Sequence, residues 1–358
     1  MHHHNMTLQQ LLGVEFPIIQ APLAGVQAGA LAVAVSNAGG LGSLPAAMLS
    51  LDVLRHELTS IRAQTNKPYN VNFFCHTPPE PDAPREAAWR TTLAPYYREH
   101  GIDANAIAPG LGRMPFNTEV AGVVAPFAPP VVSFHFGLPD AELLARVRGW
   151  GAKVIASATT VEEGLWLQQH GVDAVIAQGL EAGGHRGHFL SDDLSQQMGT
   201  FALLPQLVRA LQVPVIAAGG IADAKGVAAV LAMGAVAAQI GTAYMLCPEA
   251  TTSALHRAAL QSEAARHTAL TNVFTGRPAR GIVNRVMREL GALNPQAPHF
   301  PLATTAIAPL RVKAEALGLG DFSPLWSGQN VDGCKAIPAA QLTRELASLV
   351  ESADFDSL

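Results

Sequence analysis

Eight short apolar runs, each ending in Gly, Pro or a polar residue and separated by stretches with helical spacing, constrain this chain more than any other feature. They are FPIIQAP (16–22), GLGSL (40–44), YNVNFF (69–74), VVSFHFG (131–137), KVIASA (153–158), DAVIAQG (173–179), VPVIAAGG (213–220) and VAAQIGT (236–242). Between them, DAKGVAAVLAMG offers Asp223 as an N-cap and places Val227, Val230 and Leu231 on one face. TTVEEGLWLQQHG opens with two threonines and two glutamates, a helix-start signal. Eight βα units in succession predict an α/β fold, a (β/α)8 TIM barrel, over an open doubly wound sheet. With 49% apolar and 14% charged residues among 358, the chain has material for a large buried core.

Two segments exceed a barrel. Residues 75–130 form a proline-rich insertion with a predicted helix from Arg85 to His100, and residues 251–330 follow the eighth strand. The expected organisation is a barrel over 7–250 carrying that insertion, a smaller, mainly helical cap over 251–330, and a C-terminal helix within 331–358 packing back on the barrel. Loops of this length at a barrel's catalytic face form lids or caps.

Net charge is −5 with scattered basic residues, which excludes a nucleic-acid footprint. Cys75, Cys247 and Cys334 form no CxxC pair, so reduced thiols are expected and no metal site. His2–His4 read as an added tag. The apolar runs are too short to span a membrane, and a cytoplasmic protein is expected.

Chemistry in such a barrel sits at the C-terminal strand ends. Those ends carry Asn72, His135, Gln178, Gly219, Gly220, Gly241 and Thr242, with His185 shortly after the sixth strand in QGLEAGGHRGHF. Alternation along VVSFHFG puts Val131, Ser133 and His135 on one face and Val132, Phe134 and Phe136 on the other, so His135 is expected to point into the barrel mouth. The glycine turns AAGGIAD and QIGT, after strands seven and eight, let backbone N–H groups approach an anion, which points to a phosphate-bearing ligand. No GxGxxG follows strand one, which argues against a Rossmann dinucleotide site. The amides of Asn72 and Gln178 suit the edge of a flavin, one of several phosphorylated ligands these residues would accommodate.

QAPLAG (20–25), VNFF (71–74), SFHFGLP (133–139), QGLEAGGHRG (178–187), AAGGIAD (217–223), GTAYM (241–245) and LWSGQ (325–329) together resemble the class I nitronate monooxygenases, in order over residues 14–329. The resemblance implies FMN as cofactor and oxidation of alkyl nitronates by O2 to carbonyl compounds and nitrite. It implies His185 as the catalytic residue and FMN contacts at Pro22, Leu23, Asn72, Gln178, Gly183, Gly219, Gly220, Gly241 and Thr242, with Gln329 near the ring as a substrate-binding residue. Position 23 is Leu where many relatives have Met. Relatives place tyrosines and a lysine within 293–310, where this chain has His299, Phe300, Thr304 and Thr305. The partners implied are a nitronate and O2, in a monomer or homodimer. His135 either lines the substrate side or is a satisfied barrel-mouth histidine. His188 is expected to be structural, Glu181 to face solvent or bond a loop N–H, Cys247 to be small and buried, and TGRPARG (275–281) to be a structural turn. The rival readings are an FMN-dependent NAD(P)H:quinone or enoyl-ACP reductase and a non-catalytic flavin or phosphate-ligand binding protein.

Overall fold

The computed structural model describes residues 7–108 and 112–350. The histidines read as a tag and the last eight residues of the C-terminal segment lie outside them. Strands β1 (Ile18–Gln20), β2 (Gly42–Pro45), β3 (Tyr69–Phe74), β4 (Val131–His135), β5 (Lys153–Ala158), β6 (Ala174–Gln178), β7 (Gly184–His185), β8 (Val215–Ala218), β9 (Ala237–Ile240), β10 (Thr268–Thr271) and β11 (Ala279–Ile282) follow in chain order. Eight of them form one parallel sheet in the order β1-β9-β8-β6-β5-β4-β3-β2. It closes through Leu41, whose N–H donates to Ile18 O (2.9 Å) and whose carbonyl accepts from Gln20 N (2.9 Å). All eight expected strands are therefore present, in a (β/α)8 barrel.

Strand alternation sorts the core as predicted except at Phe136. Expected on the outer face with Val132 and Phe134, it follows the end of β4, where its φ of 69° breaks the alternation and turns its ring against Phe74 and Phe300. Ile19, Leu41, Val131, Ile155, Ile176 and Ile216 fill the barrel interior, and the helix Leu8–Leu12 plugs its base with Leu8 and Leu12. Val132, Phe134, Val154, Val175 and Val215 face the surrounding helices. Those helices start where the sequence signals them. Asp223 Oδ1 accepts from Gly226 N (2.8 Å) and Thr160 Oγ1 from Glu163 N (3.2 Å). The helix Ala339–Ala347 packs Leu342 and Leu346 against the barrel's outer layer, and Tyr244 Oη lies 2.9 Å from Thr343 Oγ1.

A second apolar core lies above the barrel mouth. The insertion helix Ala83–Glu99 contributes Trp89, Leu93 and Tyr97, which pack with Phe274, Ile307, Leu310 and Phe322. Tyr97 Oη donates to Ala306 O (2.6 Å) on the helix Ala303–Ala316. The insertion after β3 and the segment after β9 thus build one cap, because neither amphipathic helix can bury its apolar face alone. An antiparallel three-stranded sheet, β10-β11-β7, joins this cap to the barrel. Its edge strand β7 is the loop after β6, with Ala279 paired to His185 and Arg280 to Gly184. Among the described residues, no helix is long and apolar enough to cross a membrane and no His/Cys/Asp/Glu group could hold a metal ion.

Candidate active site

A cavity of about 330 Å³ opens between the barrel mouth and the cap, within the range of small-ligand sites. Pro22, Leu23, Asn72, His135, Gln178, Gly183, His185, Gly219, Gly220, Gly241 and Thr242 all line it. Gln329 does not. Its side chain is exposed, because its N–H is tied to Glu181 O (3.0 Å) in a stretch that turns its neighbours Gly328 and Asn330 toward the cavity instead.

The cap sheet presents His185. Its Nε2 lies 2.9 Å from Thr275 Oγ1, whereas Nδ1 has no hydrogen-bond partner among the described residues and is not among the buried unpaired atoms, so it opens on the cavity. Ring centroids of Phe300 (5.4 Å), Trp326 (5.5 Å), Phe136 (6.1 Å) and Phe74 (6.2 Å) surround the imidazole. Burial among them holds its pKa well below 6.5, and the charge of Arg113 adds to the effect. Phe136 adopts a left-handed φ of 69°, a strained conformation for a bulky residue, and its ring is capped by the Arg277 guanidinium at 4.2 Å.

His135 and Gln178 both point into the mouth, and both hold the His185 backbone. His135 Nε2 lies 3.1 Å from His185 O and must donate to that carbonyl, which leaves Nδ1 to accept from Ser157 Oγ (3.0 Å). Burial lowers its pKa to about 3, so the ring stays neutral in this tautomer. The Gln178 amide donates to His185 O (3.0 Å) and accepts from Gly187 N (2.7 Å). The fully buried Arg186 braces the same loop, donating to Gln178 O, Gly179 O and Gln197 Oε1, each at 2.7 Å.

The glycines divide by cause. A Cβ on Gly183 would sit 2.5 Å from Gly328 N, so that glycine admits the 327–328 backbone. Gly219 and Gly220 have φ of 119° and 74°, the left-handed region. The N–H groups of Gly220 and Thr242 have no acceptor among the described residues. The Thr242 hydroxyl accepts from Gly328 N (2.9 Å), and the Leu23 N–H is taken by Gln27 Oε1 (2.7 Å). Gln239 lines the cavity with a buried, unpaired Oε1. Glu181 accepts from Thr200 N and Oγ1 (2.9 Å each), the first turn of the helix Thr200–Ala210.

Outside the cavity, His188 is buried with its pKa lowered to about 3. Burial pushes the Cys247 thiol up to about 12. Arg277 and Arg280 donate to backbone carbonyls of the β6–β7 region, Arg280 Nε to Leu180 O at 2.8 Å. Thr275, Trp326, Arg113 and Arg186 are site residues that the sequence alone did not single out. The first three come from cap segments whose approach to the barrel has no local signal, and an Arg two residues after Gly184 reads as a surface residue.

The nitronate monooxygenase family model matches residues 5–348. The chain is 43% identical to a nitronate monooxygenase of Paraburkholderia phytofirmans, over 96% of both chains, and 41% identical to one of Pseudomonas aeruginosa, over 94% of this chain and 97% of that one. Among solved structures it is similar to a nitroalkane oxidase from Streptomyces ansochromogenes, with TM-score 0.87, 38% identity and coverage of 98% and 99%. FabK from Thermotoga maritima gives TM-score 0.70 at 26% identity, covering 96% and 97%. With a single fold and a single constellation spanning the matched length, the chain belongs to the nitronate monooxygenase family, a family of oxidoreductase enzymes.

Proposed function

We propose that this enzyme oxidises alkyl nitronates with O2 to a carbonyl compound and nitrite, using noncovalently bound FMN. The observation that carries the reading is His185: a neutral imidazole with one ring nitrogen fixed by Thr275 and the other open to an aromatic-walled cavity. The cavity fits FMN. The paired turns at Gly219–Gly220 and Gly241–Thr242 offer unpartnered N–H groups to a phosphate, and the Gln239 oxygen lacks a donor that a flavin would supply. Pro22, Leu23, Asn72, Gln178 and Gly183 would complete that site. FMN, when bound, accepts electrons from the nitronate and returns them to O2.

The protein's own part is position and proton control. A neutral His185 takes the α-proton of a neutral nitroalkane at Nδ1, and the four aromatic rings exclude water from it. His135 is a positioning residue in this reading, since both its nitrogens are committed. Gln329, exposed and off the cavity wall, is given no substrate contact in this reading.

The test is a visible spectrum of the purified protein, heat release of its cofactor, and anaerobic titration with an alkyl nitronate. A flavin spectrum, recovery of FMN and bleaching by the nitronate support the reading; FAD, or a protein that never takes up flavin, defeats it. The likeness to FabK keeps an FMN-dependent NAD(P)H oxidoreductase as the second reading. Rapid anaerobic bleaching by NADH, with none by nitronate, would select it.

A further inference from the structure

A nitronate is an anion, and the cavity must meet its charge. Burial holds the histidines on the walls neutral, with His185 well below 6.5, His135 at about 3 and His256 at about 4. Of the carboxylates, Glu181 is spent on the helix at Thr200, while Glu315 is paired with Arg311 Nε (2.7 Å) and accepts from Ser323 Oγ (2.7 Å). That pairing neutralises Arg311. The helix Ala303–Ala316 offers the cavity only Thr304, Ile307 and Ala308 besides. One wall cation remains without a carboxylate or hydrogen-bond partner among the described residues: Arg113.

Arg113 comes from the insertion after β3, not from the barrel. Its carbonyl accepts from His76 Nε2 (2.9 Å), and nearby Phe116 N donates to Phe74 O (2.8 Å), which ties the segment to the end of β3. Its guanidinium carbon stands 5.7 Å from the Phe300 ring centroid, and that ring is 5.4 Å from the His185 ring. Arg113 is also the leading charge acting on His185. It lies at the β3 side of the mouth, away from the glycine turns that end β8 and β9.

We propose that Arg113 is the anion receptor of the substrate chamber, accepting the nitronate oxygens while neutral His185 handles the proton. The assignment deepens the reaction proposed above and rests on it for the identity of the anion. A partly buried guanidinium with no counter-ion is costly in the free enzyme. An incoming anion removes that cost, and the planar fork suits the two oxygens of an NO2 group as it suits a carboxylate. A neutral nitroalkane gains little from it. Arg113 therefore separates the two substrate forms through binding.

The holoenzyme, Arg113→Gln and Arg113→Lys decide this by steady-state oxygen uptake on ethylnitronate and nitroethane, together with calorimetric titration of sodium nitrite. Arg113→Gln should raise KM for ethylnitronate ~10–100-fold, the range expected for a lost charged hydrogen bond, with kcat nearly unchanged. KM for nitroethane should move less than about threefold. Nitrite binding should weaken in parallel, and Arg113→Lys should restore part of both. Flavin content should stay as in the wild type and melting temperature should change little, since among the described residues the guanidinium loses no hydrogen bond or ion pair, only its contact with the face of the Phe300 ring at 5.7 Å. Unchanged nitronate KM and nitrite affinity in Arg113→Gln overturn the proposal, as do equal losses on the two substrate forms. If the wild type oxidises no nitronate, the reaction assignment fails, and the nitrite titration still decides the role of Arg113.

Discussion

The imidazole Nε2 of His185 and the hydroxyl of Thr275 lie 2.9 Å apart, across the seam between the barrel loop and the cap. The hydroxyl also stands 3.4 Å from both the carbonyl and the N–H of Arg277. With the threonine proton directed at that carbonyl, His185 donates from Nε2 and keeps its lone pair at Nδ1, facing the cavity. In the reaction proposed above, Thr275 then positions His185 as the base.

Thr275→Val should accordingly reduce turnover of neutral nitroalkanes about tenfold, the value of one hydrogen bond of ~1.4 kcal/mol. Preformed nitronates, already deprotonated, should be affected less, and Thr275→Ser should recover the rate. Oxygen uptake on both substrate forms checks this; equal losses would reduce Thr275 to a packing residue.

His185→Asn should fold and bind FMN, yet lose ~10²–10⁴-fold on neutral nitroalkanes, as general-base loss typically does. The sign of the pH dependence follows from burial. A base whose pKa is held well below 6.5 is already free at neutral pH. The enzyme's rate on nitroalkanes should thus be flat near neutrality and fall only in acid. A steep rise centred near 6.5 would mean that the ring is solvated in the working enzyme.

Gly220→Glu should leave the protein without FMN. The residue needs φ of 74°, and its side chain would start 3.4 Å from Glu181 Cβ, adding a second carboxylate where the phosphate is expected. Absorbance of the purified variant reads the outcome, and a yellow protein with wild-type FMN affinity would move the phosphate site elsewhere.

Arg186→Met should cost roughly 3 kcal/mol in urea unfolding, because three buried oxygens lose a charged donor at once. The β6–β7 loop carries His185, so activity should fall with it. A variant of wild-type stability would show that the loop holds its shape without the brace.

Stability should decline on acidification below about 6.5. His188 and His256 are buried with native pKa values of about 3 and about 4. Between those values and 6.5 the unfolded chain takes up protons that the native state refuses, so unfolding becomes easier as pH falls, by up to ~1.4 kcal/mol per pH unit for each group. Melting temperature against pH tests this, and His256→Gln should flatten the slope.

The barrel was written locally. Each run such as VVSFHFG carries its own period of two, its own end signal and its own sorting of His135 from Phe134, so eight strands and their faces were readable one at a time. The glycine turns were readable for the same reason, since φ of 119° and 74° at Gly219 and Gly220 is a demand that glycine meets within a few residues. What no local pattern held was the meeting of distant segments. The insertion helix Ala83–Glu99 joins the segment after β9 only because both have an apolar face to cover. β7 is two residues long and exists as a strand only against β11. Thr275 reaches His185 across 90 positions, and the Gln178 amide turns out to hold the backbone at His185 and Gly187. Local sequence pattern sufficed for the scaffold and placed His185 beside the barrel mouth. Tertiary structure decided the histidine's protonation, its orientation and the charge it faces, because burial and Coulomb terms depend on distance in space and not along the chain.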